Sequence, residues 1–135
     1  MLRMLAAILS GVLCSSAIAE VVEATPNGFL VRFEVTVNAP PDKAYALMTG
    51  EVGNWWNMDH SYSRDGKNLT IDARAGGCFC EKLSNGGSVQ HMLVVFASPG
   101  STLRMLGGLG PLQNTGVAGS MTWRFVAAHS AAPTT

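Results

Sequence analysis

The sequence predicts an α+β domain: a curved antiparallel sheet with two short helices placed after the first strand. Three observations point to it. The stretch "FLVRFEVTV" alternates apolar and polar residues, as a half-buried strand does. The next stretch, "NAPPDKAYALMTG", breaks that period with two prolines and starts a helical one. Beyond Asn68 the period of two returns in several short runs separated by turn dipeptides. Helices gathered on one side of an antiparallel sheet make an α+β layer pair, and 135 residues suffice for one such domain.

The chain begins with "MLRMLAAILSGVLCSSAIAE". One basic residue, Arg3, precedes an apolar run from Met4 to Leu13, and small residues ending in Ala17-Ile18-Ala19 follow. This is the order of a secretory signal peptide, and the run is too short for the roughly 20 apolar residues that span a bilayer. Residues 1–19 are therefore expected to be removed and the mature chain to start near Glu20, exported to the periplasm or secreted. Cys14 lacks the small preceding residue expected of a lipidated cysteine, since Leu13 stands there. Loss of Arg3 leaves eight basic residues against nine acidic ones, a net charge of −1. So weak a charge offers no electrostatic ground for nucleic acid or an anionic membrane as partner. Hydrophobic residues make up 47% of the chain, but no helix-length apolar run remains after cleavage, so no integral membrane segment is expected in the mature protein.

Each element can be justified in order. In the first strand Phe29, Val31, Phe33, Val35 and Val37 share one face, which should be the buried one. The helix after the prolines should bury Ala44, Leu47 and Met48 and stop at Gly50. "EVGNWWNMD" packs Trp55 and Trp56 into a short helical connector. "NLTIDAR", "GCFCEKL", "SVQHMLVVFAS", "STLRML" and "SMTWRFV" read as the strands of an antiparallel meander. Pro99-Gly100 marks one of its turns, and "GGLGPLQNTGVAGS" is a glycine-rich loop. Those glycines do not lead a strand into a helix of a βαβ unit, so they are not a phosphate cradle.

The chemistry concentrates in "GGCFCEKLSNGGSVQHM", Gly76 to Met92. Asn85-Gly86 is a strong signal for a two-residue hairpin turn. A two-residue loop sets Cys80 opposite His91 and Cys78 opposite Leu93. Side chains alternate along a strand, so Cys78, Cys80, His91 and Leu93 share one face, and Phe79, Glu81, Gln90 and Met92 the other. Thiolates and imidazole suit zinc or copper(I), but C-x-C is not the usual zinc spacing, and of the other histidines only His60 could add a ligand from the main body. A cysteine–histidine nucleophile needs an orienting group and an oxyanion hole, which the sequence does not supply. A Cys78–Cys80 disulfide would need distortion, because alternate strand residues sit ~6.5–7 Å apart. Two cysteines acting as small buried hydrophobes, with His91 a polar point among them, need no special device. No metal, cofactor or catalytic residue is assigned. Asp72, Arg74, Glu81 and Arg104 should form cross-strand ion pairs on the solvent side of the sheet; any that points inward would orient the polar end of a ligand.

"VTVNAPPDKAYALMT", the following "WW", "IDARAGGCFCE" and "LRMLGGLGPLQ" together resemble the START-like, or SRPBCC, superfamily. The resemblance runs from about Phe29 to Val126 and is nearest to exported bacterial members of the polyketide cyclase/dehydrase-like and heat-shock-ATPase-activator-like subgroup. It implies a helix-grip fold, in which a curved sheet wraps a long C-terminal helix around an apolar cavity. It also implies a bound lipid, polyketide or similar molecule, and cyclisation or hydrolysis in a few members. On that reading Trp55, Trp56, Cys78, Cys80, His91, Leu93 and Trp123 line the cavity. The tail "AAHSAAPTT" has neither the length nor the period of the family's last strand and helix. The C-terminal long helix is then missing, the domain (residues 20–135) is incomplete, and Met121, Trp123 and Phe125 lie uncovered, leaving an open sheet face through which two copies could pair. The expected function is a non-enzymatic exported binder of an apolar small molecule; the alternative is a cyclase- or hydrolase-type enzyme using His91 or a pocket carboxylate as acid–base.

Overall fold

The computed structural model of the chain describes residues 17–128. The apolar run of the expected signal peptide, Cys14, and the tail with His129 lie outside the described residues. The chain divides into two units, Met1–Asn38 and Ala39–Thr135.

In the first unit, strand β1 (Ala17–Thr25) pairs antiparallel with β2 (Gly28–Val35) through a Pro26-Asn27 turn. The Thr25 hydroxyl closes that turn, accepting from the Asn27 N–H and donating to the Gly28 carbonyl. β2 is the strand that alternation predicts, but its apolar face is not buried: Phe29 is 77% exposed and Phe33 74%. Two strands make a ribbon with no second layer of its own to cover either face. β1 has no counterpart in the sequence reading, which assigns part of it to the signal peptide.

The second unit is α+β. Pro40 stays extended as the N-cap, and Pro41 opens helix α1 (Pro41–Gly50) at a position where the missing N–H costs nothing. The buried side chains of α1 are Tyr45 and Met48, not Leu47, which is 51% exposed. Met48 is buried and Ala44 half-buried as expected, but the place foreseen for Leu47 is taken by Tyr45, which turns inward and meets Phe125 edge-on at 5.4 Å. The short helix α2 (Val52–Trp55) follows and is tied to α1 by the Trp55 indole N–H, which donates to the Met48 carbonyl at 3.0 Å. Two 3-10 turns, Met58–His60 and Gly66–Asn68, are capped by the Asn57 and Asp65 side chains. Here Gly53 and Gly66 cross main chain to main chain, so closely that a Cβ on either would run into the other's backbone.

Five strands then form an antiparallel meander: β3 (Leu69–Ile71), β4 (Cys78–Lys82), β5 (Ser88–Ser98), β6 (Thr102–Gly107) and β7 (Gly119–Arg124). Its inner face carries Leu69, Phe79, Met92, Val94, Leu103 and Met105, all buried against Tyr45, Met48 and Val52 of the helices. Each such side chain contributes roughly 1.5–3 kcal/mol by leaving water. Met121, Trp123 and Phe125, expected to lie uncovered, are partly buried against this core. Trp55 of α2 meets Trp123 edge-on at 5.8 Å, and Tyr45 of α1 meets Phe125. The exposed apolar face is the opposite one, where Leu93, Val95, Phe96 and Leu106 stand. Arg104, on that face, lies over the Phe96 ring and donates to the Thr122 hydroxyl.

Candidate functional site

The β4–β5 hairpin forms, but its turn is one residue longer than Asn85-Gly86 alone suggests. The Leu83 N–H donates to the Gly87 carbonyl, and the Gly86 N–H to the Leu83 carbonyl. The loop is therefore Ser84-Asn85-Gly86, a turn ending in a left-handed residue. Gly86 supplies that conformation with φ 82°, and the Asn85 side chain accepts from the Gly87 N–H. The extra loop residue moves the register by one, so Lys82 pairs with Ser88, Glu81 with Val89 and Cys80 with Gln90. A bulge opposite the Phe79–Cys80 step then absorbs His91, and Phe79–Met92 and Cys78–Leu93 pair as expected.

This corrects the expected faces. Cys80 is not the partner of His91. Phe79, Glu81, His91 and Met92 all turn into the core, because a bulge presents two successive residues toward the same side. Cys78, Cys80 and Leu93 lie on the other face. The two cysteines are not free thiols in a cavity wall but are joined in a disulfide, with their Cα atoms 5.4 Å apart. That separation is shorter than alternate residues of a regular strand keep, which is the distortion the bond requires.

Inside, Glu81 and His91 form a pair with no side-chain exposure, the imidazole Nε2 lying 2.9 Å from Glu81 Oε2. The carboxylate also accepts the backbone N–H groups of Tyr62 and Ser63, so it clamps that segment onto the sheet. Burial pushes the Glu81 carboxyl up, but the hydrogen bonds from Ser63, Tyr62 and His91 outweigh it and hold the group below the usual carboxylate range. An ionised Glu81 assigns the proton to Nε2 of His91. Nδ1 is buried and has no hydrogen-bond partner among the described residues. It faces Gly110, whose φ is 64°: a Cβ there would stand 2.9 Å from Nδ1 and from the Tyr62 ring. Glu81 is thus the inward-pointing member of the four charged residues, whereas Asp72 and Arg74 make an exposed pair at 2.9 Å, a local one between residues two apart beyond β3 and not the cross-strand pair expected.

Aromatic rings connect this pair to the surface. Phe79 lies against His91 with ring centres 4.8 Å apart, and Trp56 meets Phe79 edge-on at 5.0 Å. Trp56, His60, Leu109 and Leu112 line a half-enclosed, mostly apolar cleft of about 370 Å³. Trp56 is fixed there by its indole N–H, which donates to the His60 carbonyl at 3.2 Å. The opposite wall is held by the Leu109 N–H to the His91 carbonyl and by the Gln113 amide to the Gln90 carbonyl. A larger hollow of about 420 Å³ lies beside the Gly53–Gly66 crossing, but it is wide open and polar, and none of the residues lining it is aromatic.

Of the residues singled out from sequence, Trp56 lines the cleft and His91 lies two rings beneath it. Trp55 and Trp123 continue the aromatic row, Trp55 meeting Trp56 at 5.8 Å. Cys78, Cys80 and Leu93 belong to the other face. Sequence reasoning missed Phe79, Glu81, Leu109 and Leu112. The period-two alternation of Phe79 and Glu81 was the available signal for the first two. Among the described residues no three histidines, cysteines or acidic residues converge as a metal site. The chain matches no protein-family model, no curated protein and no solved structure.

Proposed function

We propose that the chain is a START-like, helix-grip-type domain that acts after export by holding an apolar small molecule in the cleft between Trp56, His60, Leu109 and Leu112. The cleft carries this reading. Its volume is at the small end of the roughly 300–1,000 Å³ of small-molecule sites, and it pairs an apolar lining with one polar side chain, as such sites do. The test uses a neutral naphthylamine dye that fluoresces in apolar surroundings. Leu112 is 47% exposed, so Leu112→Arg should fold normally while placing a charge in the cleft and weakening dye binding at least tenfold. Phe96→Ser on the opposite face should leave binding intact. Equal binding by Leu112→Arg and the unaltered chain would reject the reading. Native mass spectrometry of protein purified from its host would then identify the natural occupant.

A second reading, a cyclase- or hydrolase-type enzyme with His91 as acid–base, has one observation in its favour. Glu81 orients His91 as an acidic residue orients a catalytic imidazole, and Nδ1 is left without a partner. Diethyl pyrocarbonate separates the two: an enzyme must expose Nδ1 and His91 would be modified readily, whereas a purely structural pair resists until the protein unfolds.

A further inference from the structure

The disulfide and the bulge share one rung. Between Phe79 and Cys80 the ladder passes over His91. At the same place the Cys78–Cys80 bond draws two Cα atoms to 5.4 Å, about 1 Å less than the ~6.6 Å that two residues of regular strand cover. A shortened path on β4 and an extra residue on β5 bend the ladder in the same sense, so each favours the other.

The residues of the hairpin tip also fit a second arrangement. A two-residue Asn85-Gly86 turn needs a positive φ at both residues: Gly86 already has it, and Asn85, one of the residue types that tolerate it, would have to swing into it. With that turn Cys80 stands opposite His91, the bulge disappears, and Phe79–Met92 and Cys78–Leu93 keep their pairing. A one-residue slip sends each shifted side chain to the other face. His91 would leave Glu81 and join the face of the two cysteines.

We propose that Cys78–Cys80 is a thiol–disulfide exchange site for a small-molecule thiol, and that its oxidation state selects between these two registers. Two features set it apart from a structural staple. The ring encloses only Phe79, so the bond takes little conformational freedom from the unfolded chain. Both cysteines are partly exposed, on the sheet face turned away from the core, where a thiolate can approach. The exchange proceeds in two steps. A thiolate attacks one Sγ, the Sγ–Sγ bond breaks, a mixed disulfide forms, and the other cysteine leaves as thiolate. A second thiolate attacks the outer sulfur of the mixed disulfide, releasing the oxidised small-molecule disulfide and the second cysteine. Two electrons pass from the two thiols to the protein, and their two protons end on Cys78 and Cys80. Once the bond opens, β4 relaxes toward regular spacing and the bulge loses its complement.

The test treats the full chain with millimolar reduced glutathione under native conditions, followed by iodoacetamide and peptide mapping. Cys78 and Cys80 should be unlabelled before treatment and fully labelled after it. Cross-strand NMR contacts should change from Cys80–Gln90 to Cys80–His91, and oxidised glutathione should restore the first set. The double variant Cys78→Ser, Cys80→Ser should adopt the second register with no thiol present; if it fails to fold, the reduced wild-type chain decides alone. Resistance to native reduction overturns the proposal. So does labelling with an unchanged register, and so does unfolding on reduction, which would make the bond a staple.

Discussion

The inner and outer faces of β4 use alternating residues of one five-residue strand, yet they are built on opposite terms. Inward, Phe79 and Glu81 are sealed: one is packed between two aromatic rings and the other has its carboxylate oxygens bonded to two backbone N–H groups and an imidazole. Outward, Cys78 and Cys80 are joined to each other and stay partly exposed beside Leu93. The difference teaches where specificity in this unit comes from. The sealed side fixes position, because each buried polar atom of Glu81 has a partner that a slip of the strand would remove. The outer side holds shape by a covalent link that asks little of its surroundings.

The contrast can be broken most severely at Phe79. Phe79→Ala should cost about 3–5 kcal/mol, since a 1%-exposed ring supporting both Trp56 and His91 would leave a cavity. A denaturant midpoint nearly unchanged by it would mean that the rings do not support one another. Next comes Glu81. Glu81→Leu leaves the buried His91 Nε2–H and the part-buried backbone N–H groups of Tyr62 and Ser63 without their acceptor, at a cost of about 3 kcal/mol. Its acid dependence sharpens the point. The folded carboxyl is held below its ordinary value, so the unfolded chain binds more protons in acid. The stabilisation is complete above the ordinary glutamate pKa, roughly 4.3, and is lost as pH falls through the lower folded value. Glu81→Gln should flatten that part of the stability curve, measured by denaturation from neutral to strongly acid solution. On the outer face Leu93→Ser should change stability by no more than about 0.5 kcal/mol, as surface substitutions do. A larger loss there would show that something covers the face in solution.

Much of the fold was legible because local chemistry decided it. Pro40-Pro41 stops one period and starts another, and the alternation of Leu103, Met105, Met121 and Trp123 marks β6 and β7 whatever surrounds them. The site was less legible because one loop residue governs it. Asn85-Gly86 is compatible with a two- or a three-residue turn, and the longer form is supported by contacts distant in sequence that no local pattern announces: Tyr62 and Ser63 holding Glu81, and Leu109 holding the His91 carbonyl. Reading the shorter turn put His91 on the face of the cysteines, and taking that face for the inner one left Glu81 as a surface charge. The same reliance on distant contacts hid Leu109 and Leu112 in a stretch whose glycines say only that the chain turns. β1 escaped notice for a different reason, since "AIAEVVEAT" straddles the expected end of the leader, and the apolar pattern before it dominates any reading of the strand.

The crossing of Gly53 and Gly66 bears on how this sequence can drift. Neither residue needs glycine for its backbone angles; each needs it because the other's main chain occupies the space. A main-chain obstacle cannot be relieved by trimming a neighbouring side chain, so no second change elsewhere compensates for adding a Cβ at either position. In a library randomised along the whole chain and sorted for folded members, both sites should return glycine almost without exception. Gly28, Gly50 and Gly119, where a Cβ would meet nothing within 4 Å, should return a broad alphabet. The inheritance of α2 is in this way tied to that of a turn thirteen residues later, a linkage that would show in an ancestry as two glycines surviving together while the helix around one of them is rewritten.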